Sequence, residues 1–410
     1  MSNISIFTKR TSTRKAAVVA MLTGAMCAGL CTGQALASTH FNDITVNAGI
    51  SGDDIQSPVD DGEMAGGIAW IDYNKDGFQD LFIPNISAGP SRLFKNNGPD
   101  SNGNYSFSDV SASANVQMIG VLSAGVAVGD YDGDGFEDIF VANYSGPNTL
   151  LRNQGDGSFD DVSVAANLAN EVKSSFVASF GDVNNDGLLD IYVGHWNSSS
   201  SSRKCSANDL YINNGDGTFT NKAISVGVDD TGCTFASALS DYDHDGDLDI
   251  LSVNDNVFSN TTLRRNKLYR NNGLMASGLP VFIEQGAEAN FDQVFQGMGI
   301  AIGDYNNDGL LDYYRSSLSG GYLSTNTGEG GLSIREFATA LPPMGDGSIS
   351  RTAGGGGPTG WGVVFFDADN DGFVDLFRVN KNFSITQPNS FYHNNNGVLD
   401  EVRLEVGLNT

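Results

Sequence analysis

Short apolar runs alternate with polar turns along the whole chain, and no stretch carries the apolar spacing of an amphipathic helix. Four kinds of run recur in a fixed order. The first is small and Gly-rich, at residues 66–71, 124–129, 176–181 and 299–303. The second is bulkier, at 81–83, 139–142 and 191–194. The third ends at a turn glycine, at 93–98, 150–155, 210–215 and 268–273. The fourth is more polar, at 107–110, 159–162 and 219–222. Asn-Gly between apolar runs is a hairpin signal. Four short strands repeated roughly every 50 to 60 residues predict an all-β fold, a single β-propeller in which each unit is one blade. The Gly-rich first strand suits the crowded centre and the polar fourth strand the rim. Six units favour six blades, with seven as the alternative. The segment Phe41-Asn42-Asp43-Ile44-Thr45 resembles a fourth strand. It would close the ring or begin a seventh, degenerate blade, because residues 389–403 already read as the last unit's third and fourth strands. Length alone would allow two or three domains, but the repeat leaves no sign of a second.

Between the first and second strands of every unit stands an acidic loop of the form D-x-[DN]-x-D-G-x-x-D. Several carboxylates in nine residues repel one another unless a cation sits among them. Hard oxygen donors at odd positions around a glycine turn suit Ca2+ better than Mg2+, which dehydrates reluctantly. By analogy with the EF-hand loop, positions one, three, five and nine offer side chains and position seven a backbone carbonyl. Loop one then offers Asp72, Asn74, Asp76, Phe78 and Asp80, and loop two Asp130, Asp132, Asp134, Phe136 and Asp138. Loop three offers Asp182, Asn184, Asp186, Leu188 and Asp190, and loop four Asp241, Asp243, Asp245, Asp247 and Asp249. Loop five offers Asp304, Asn306, Asp308, Leu310 and Asp312, and loop six Asp367, Asp369, Asp371, Phe373 and Asp375. Up to six calcium ions are expected, bound more tightly in loops two, four and six, which carry four carboxylates rather than three. The closing acid at position nine, and strands on both sides, distinguish the loop from an EF-hand.

The unit resembles the FG-GAP repeat, also described as VCBS-type, of integrin α heads and many bacterial exported proteins. The resemblance covers roughly residues 41–410. It implies a β-propeller whose acidic loops bind structural Ca2+ on one face, and it leaves the ligand open.

Composition narrows the partners. A net charge of −27 argues against nucleic acid and anionic membranes. Residues 1–37 read as a signal peptide. Lys9, Arg10, Arg14 and Lys15 precede an apolar run at 16–30, and Ala35-Leu36-Ala37 forms a cleavage site. An exported protein of secreted, periplasmic or cell-surface location, without a membrane span and monomeric, is expected. Cys205 and Cys233 would pair in an oxidising compartment or remain free thiols.

Function is expected opposite the calcium loops, where the long connections at 195–209, 254–266, 352–360 and 380–390 vary most. They carry Trp196, Phe258, Trp361 and Phe383 beside Arg203, Lys204, Arg264, Arg265 and Lys381. Aromatic faces beside cations fit a protein or acidic glycan ligand; ordinary polar loops with packed aromatics are the plain alternative. The leading reading is an adhesion or ligand-binding module, probed by glycan binding. The alternatives are a polysaccharide-active enzyme such as a lyase and a scaffold subunit of an exported assembly. Only His40, His195, His244 and His393 are available as imidazoles for a lyase.

Overall fold

A computed structural model describes residues 41–50, 67–85, 89–197, 205–256, 265–317, 320–328, 334–337, 360–380, 389–402 and 406. The expected leader, and Arg203, Lys204, Phe258, Arg264, Lys381 and Phe383 of the second-face connections, lie outside these residues. The described chain forms six four-stranded antiparallel sheets, each in simple sequential order. They span residues 69–109, 122–161, 175–221, 234–284, 297–337 and 360–401 and form the blades of a β-propeller. The one helix among the described residues is a single turn, Ala223–Val226.

The first strands pack against one another around the axis. Their glycines permit that approach. A Cβ at Gly125 of blade two would lie 2.6 Å from the Phe176 carbonyl oxygen of blade three, and one at Gly299 of blade five 2.5 Å from that of Trp361 in blade six. Farther out, the aromatic that opens the fourth strand of one blade covers the loop aromatic of the preceding blade. Tyr73 meets Phe159 at 6.2 Å and Tyr131 meets Phe219 at 5.6 Å between ring centroids. These contacts bury apolar surface between blades and give the ring a continuous core.

The N-terminal segment takes a place this pattern defines. In blades two and three the fourth-strand aromatic amide bonds to the turn leaving the previous blade: Phe159 to Ala114 O at 2.9 Å and Phe219 to Ala166 O at 3.0 Å. Phe41 makes the same bond to Val406 O, beyond blade six, at 2.9 Å, and its ring packs edge-on against Phe391. Ala48 O in turn accepts from Phe107 of blade one at 2.7 Å. The segment therefore bridges the last blade to the first, in the register of one further fourth strand, while belonging to none of the six sheets.

Candidate metal centres and the opposite face

Each acidic loop joins the first strand of its blade to the second. Position nine is the first residue of the second strand and pairs with the last residue of the first, as in Ile71 with Asp80 and Gly129 with Asp138. Two residues per loop turn the chain. Position four is left-handed in every copy: Lys75, Gly133, Asn185, His244, Asn307 and Asn370 all have φ between 53° and 73°. Position six is glycine with φ between 85° and 94°. The position-one carboxylate accepts that glycine's amide in all six loops, folding its oxygens inward.

The closing acids Asp80, Asp138, Asp190, Asp249, Asp312 and Asp375 are fully buried. Each accepts, at 2.7–2.8 Å, the backbone amide of an asparagine on the third strand: Asn96, Asn153, Asn213, Asn271, Asn326 and Asn394. In loops two to six the other oxygen accepts the position-two amide. Burial pushes Asp80, Asp138, Asp190 and Asp312 up to about 7, Asp249 to about 8 and Asp375 to about 6, against the bonds that favour the anion.

In loops two, four and six, position three is an aspartate. One oxygen each from positions one, three and nine lies within 4.8 Å of the others in Asp130, Asp132 and Asp138, in Asp241, Asp243 and Asp249, and in Asp367, Asp369 and Asp375. In loops one, three and five position three is Asn74, Asn184 or Asn306, which donates to the position-five acid at 2.9–3.0 Å. Two observations match a cation among these oxygens. Asp80 Oδ2 is buried without a hydrogen bond. Both oxygens of Asp243, whose side chain is 1% exposed, also accept none, although Arg270 Nε faces one as an ion pair. An all-oxygen set with spare lone pairs is the donor chemistry of Ca2+. Position seven has a second use, because its side chain packs on the turn glycine of its blade. A Cβ at Gly98 would lie 2.9 Å from the Phe78 ring and one at Gly155 2.8 Å from that of Phe136.

The third-strand asparagines were read from sequence only as turn formers. In the structure they join blades. Asn153 Nδ2 donates to Tyr73 O of the preceding loop at 2.8 Å, and Asn213, Asn271, Asn326 and Asn394 repeat the bond to Tyr131, Val183, Tyr242 and Tyr305 at 2.6–2.9 Å. Their recurrence just before a turn glycine, two residues ahead in blades one to five and three in blade six, was the available signal.

On the other face the reading of packed rather than displayed aromatics holds for both tryptophans. Trp196 and Trp361 are each only 4% exposed. They pack with Phe176, Phe235, Met298, Cys205 and Cys233 at the ends of the inner strands remote from the acids. Phe235 of blade four reaches Trp361 of blade six at 6.0 Å, so the cluster spans the middle of the ring. The Trp196 indole donates to Asp255 at 2.8 Å. Cys205 and Cys233 form a disulfide beneath it. His195 is buried against Asp209 at 2.9 Å, and Asp209 also binds Lys173 at 2.6 Å. Burial alone would raise Asp209, but the bonds from His195 and Lys173 hold it below the usual carboxylate range.

A ring of four-stranded blades, each carrying an acidic nine-residue loop between its first two strands, defines a repeat propeller. Residues 72–141, 130–193, 196–252 and 241–314 match the model of the FG-GAP-like repeat, and the chain belongs to that family. Among curated proteins it is similar to cartilage acidic protein 1. It is 26% identical to the Mus musculus protein over 253 residues, covering 60% of this chain and 37% of the relative. The Homo sapiens protein is 27% identical over 260 residues, covering 60% and 36%. The chain thus spans less than two-fifths of the length of these relatives. Among solved structures it is similar to an Agrocybe aegerita lectin described as recognising non-reducing terminal N-acetylglucosamine, at TM-score 0.46 and 18% identity, covering 81% of this chain and 78% of that one. Among the described residues no helix is long and apolar enough to cross a membrane.

Proposed function

We propose that the protein is an exported, calcium-binding propeller that recognises a protein or glycan ligand on the face opposite its acidic loops. The observation that carries this reading is the division of the ring. One face repeats the same inward-folded acid loop six times, a structural use of charge. The connections of the other face differ from blade to blade, as ligand-specific surfaces do. Membership of the FG-GAP-like repeat family and the Cys205–Cys233 disulfide support a place outside the reducing cytosol. Two of the described imidazoles do not favour the lyase reading: His195 is buried against Asp209 and His393 is engaged with Asp369.

The test has two arms. Metal analysis of the purified protein should find calcium, and Asp134→Ala should lower its content. Screening against glycans and matrix proteins in calcium should find a ligand whose binding falls with Arg265→Glu, on the variable face, and persists with Lys75→Ala, on the acidic face. Binding lost only with Lys75→Ala would place recognition on the wrong side and reject the reading.

A further inference from the structure

Loop six holds a donor that the other loops lack. The third-strand residue just before the blade-joining asparagine is Lys95, Arg152, Ile212, Arg270, Thr325 and His393 in blades one to six. In blades one, four and six its side chain reaches an aspartate of its own loop. Lys95 Nζ lies 3.2 Å from Asp76 Oδ2, and Arg270 Nη2 lies 3.1 Å from Asp245 Oδ2. His393 Nε2 lies 3.0 Å from Asp369 Oδ2 and 3.9 Å from Asp371 Oδ2. One ligand atom from each of Asp369, Asp371 and His393 falls within 4.8 Å of the other two. Lysine and arginine keep their protons at neutral pH, and isoleucine offers no donor. Only the imidazole can add nitrogen to a metal's coordination at this position.

That difference changes the metal. Ca2+ takes oxygen ligands. An imidazole beside two carboxylates suits Zn2+, Ni2+ or Cu2+, whose affinity for nitrogen donors exceeds that of the hard cations. Asp371 is solvent-exposed and gives an ion a way in. We propose that loop six is a mixed nitrogen–oxygen site that takes a divalent transition metal of the Zn2+ class in preference to Ca2+, with His393 Nε2, Asp369 and Asp371 as donors. The inference rests on reading the acidic loops as metal sites. It makes one blade of six chemically distinct.

The test titrates Zn2+ into the full chain in saturating Ca2+, for wild type, His393→Gln and His393→Arg. The arginine variant keeps a cation of the kind blades two and four carry, so it separates ligation from charge balance. Wild type should bind one Zn2+ per chain. Both variants should weaken that site by more than the roughly 10- to 100-fold that loss of an outer-shell partner costs. With Cu2+ as probe, the single-nitrogen coupling in the electron paramagnetic resonance spectrum should disappear in both. Melting temperature in Ca2+ confirms that each variant folds, and the two substitutions differ enough that one fold-competent variant suffices. Equal Zn2+ affinity in wild type and either folded variant, with Ca2+ still bound, would overturn this proposal and leave the calcium reading standing. No bound divalent ion of any kind would overturn both.

Discussion

On one side of the ring, six loops press carboxylates together and fold their oxygens inward. On the other, Phe176, Trp196, Phe235 and Trp361 bring apolar surface together over the axis, beside a disulfide. The acidic side is repetitive and electrostatically unfavourable by itself; the apolar side is irregular and held by packing. The same strands serve both, since the inner strands of blades two to six begin in the apolar cluster and end at an acid loop. A cation should therefore matter to one side and hardly to the other. Apolar truncation should do the reverse.

Chelation is expected to have the largest effect. Each ion bound only by the native state adds about 2.7 kcal/mol at a hundredfold excess over its dissociation constant, and there are up to six loops. Thermal melting with and without chelator measures the sum, and an unchanged midpoint would break the comparison. The pH dependence sharpens it. In the metal-free protein the buried closing acids retain protons up to about pH 7, while the unfolded chain releases them near the ordinary aspartate value of 3.8. The folded state then holds the extra protons, so metal-free stability falls as pH rises from about 4 through about 7. Bound calcium, by favouring the anions, should flatten or reverse that slope.

Phe235→Ala comes next, because it removes the aromatic that links Phe176 to Trp361. Truncations of this kind cost about 3–5 kcal/mol, and calcium stoichiometry should stay the same. Replacing Cys205 and Cys233 together by serine should cost about 3 kcal/mol, measured by denaturant unfolding. The smallest effect compares two asparagines. Asn213→Ala leaves the buried carbonyls of Tyr131 and Leu189 without their donor, at about 1–3 kcal/mol. Asn96, whose side chain among the described residues donates to Gln79 O within its own blade, should cost less. Equal costs would show that the link between blades adds nothing.

Strand order and loop placement were legible because they repeat: Asp130 gains its meaning from Asp72 and its other counterparts, and a period is visible in a string of letters. The bond from Asn153 to Tyr73, 80 residues earlier, was not. Its partner is fixed by how blades pack, and the local pattern carried only a turn signal. For Trp196 and Trp361 the sequence leaves display and packing open, and the structure decides for packing. Each sits beside a polar connection, yet the inner strands converge there and draw the indoles inward. The reach of Lys95, Arg270 and His393 into their loops was equally hidden, since strand pairing rather than sequence distance brings them there. The place of Phe41–Thr45 was legible as a choice: its likeness to a fourth strand allows ring closure or a seventh blade, and the bonds from Phe41 to Val406 and from Phe107 to Ala48 show the bridge from blade six to blade one.

The asparagine links also run in one sense. Each fastens the loop of the blade before it, so loops one to five are gripped by their successors. Among the described residues no asparagine grips Ala368 of loop six in this way. A fabric stitched in one direction unravels from its last stitch. Amide hydrogen exchange should find loop six opening first, with protection rising stepwise back toward loop one. The blade that carries the imidazole is then also the one whose loop has most freedom to rearrange around an incoming ion.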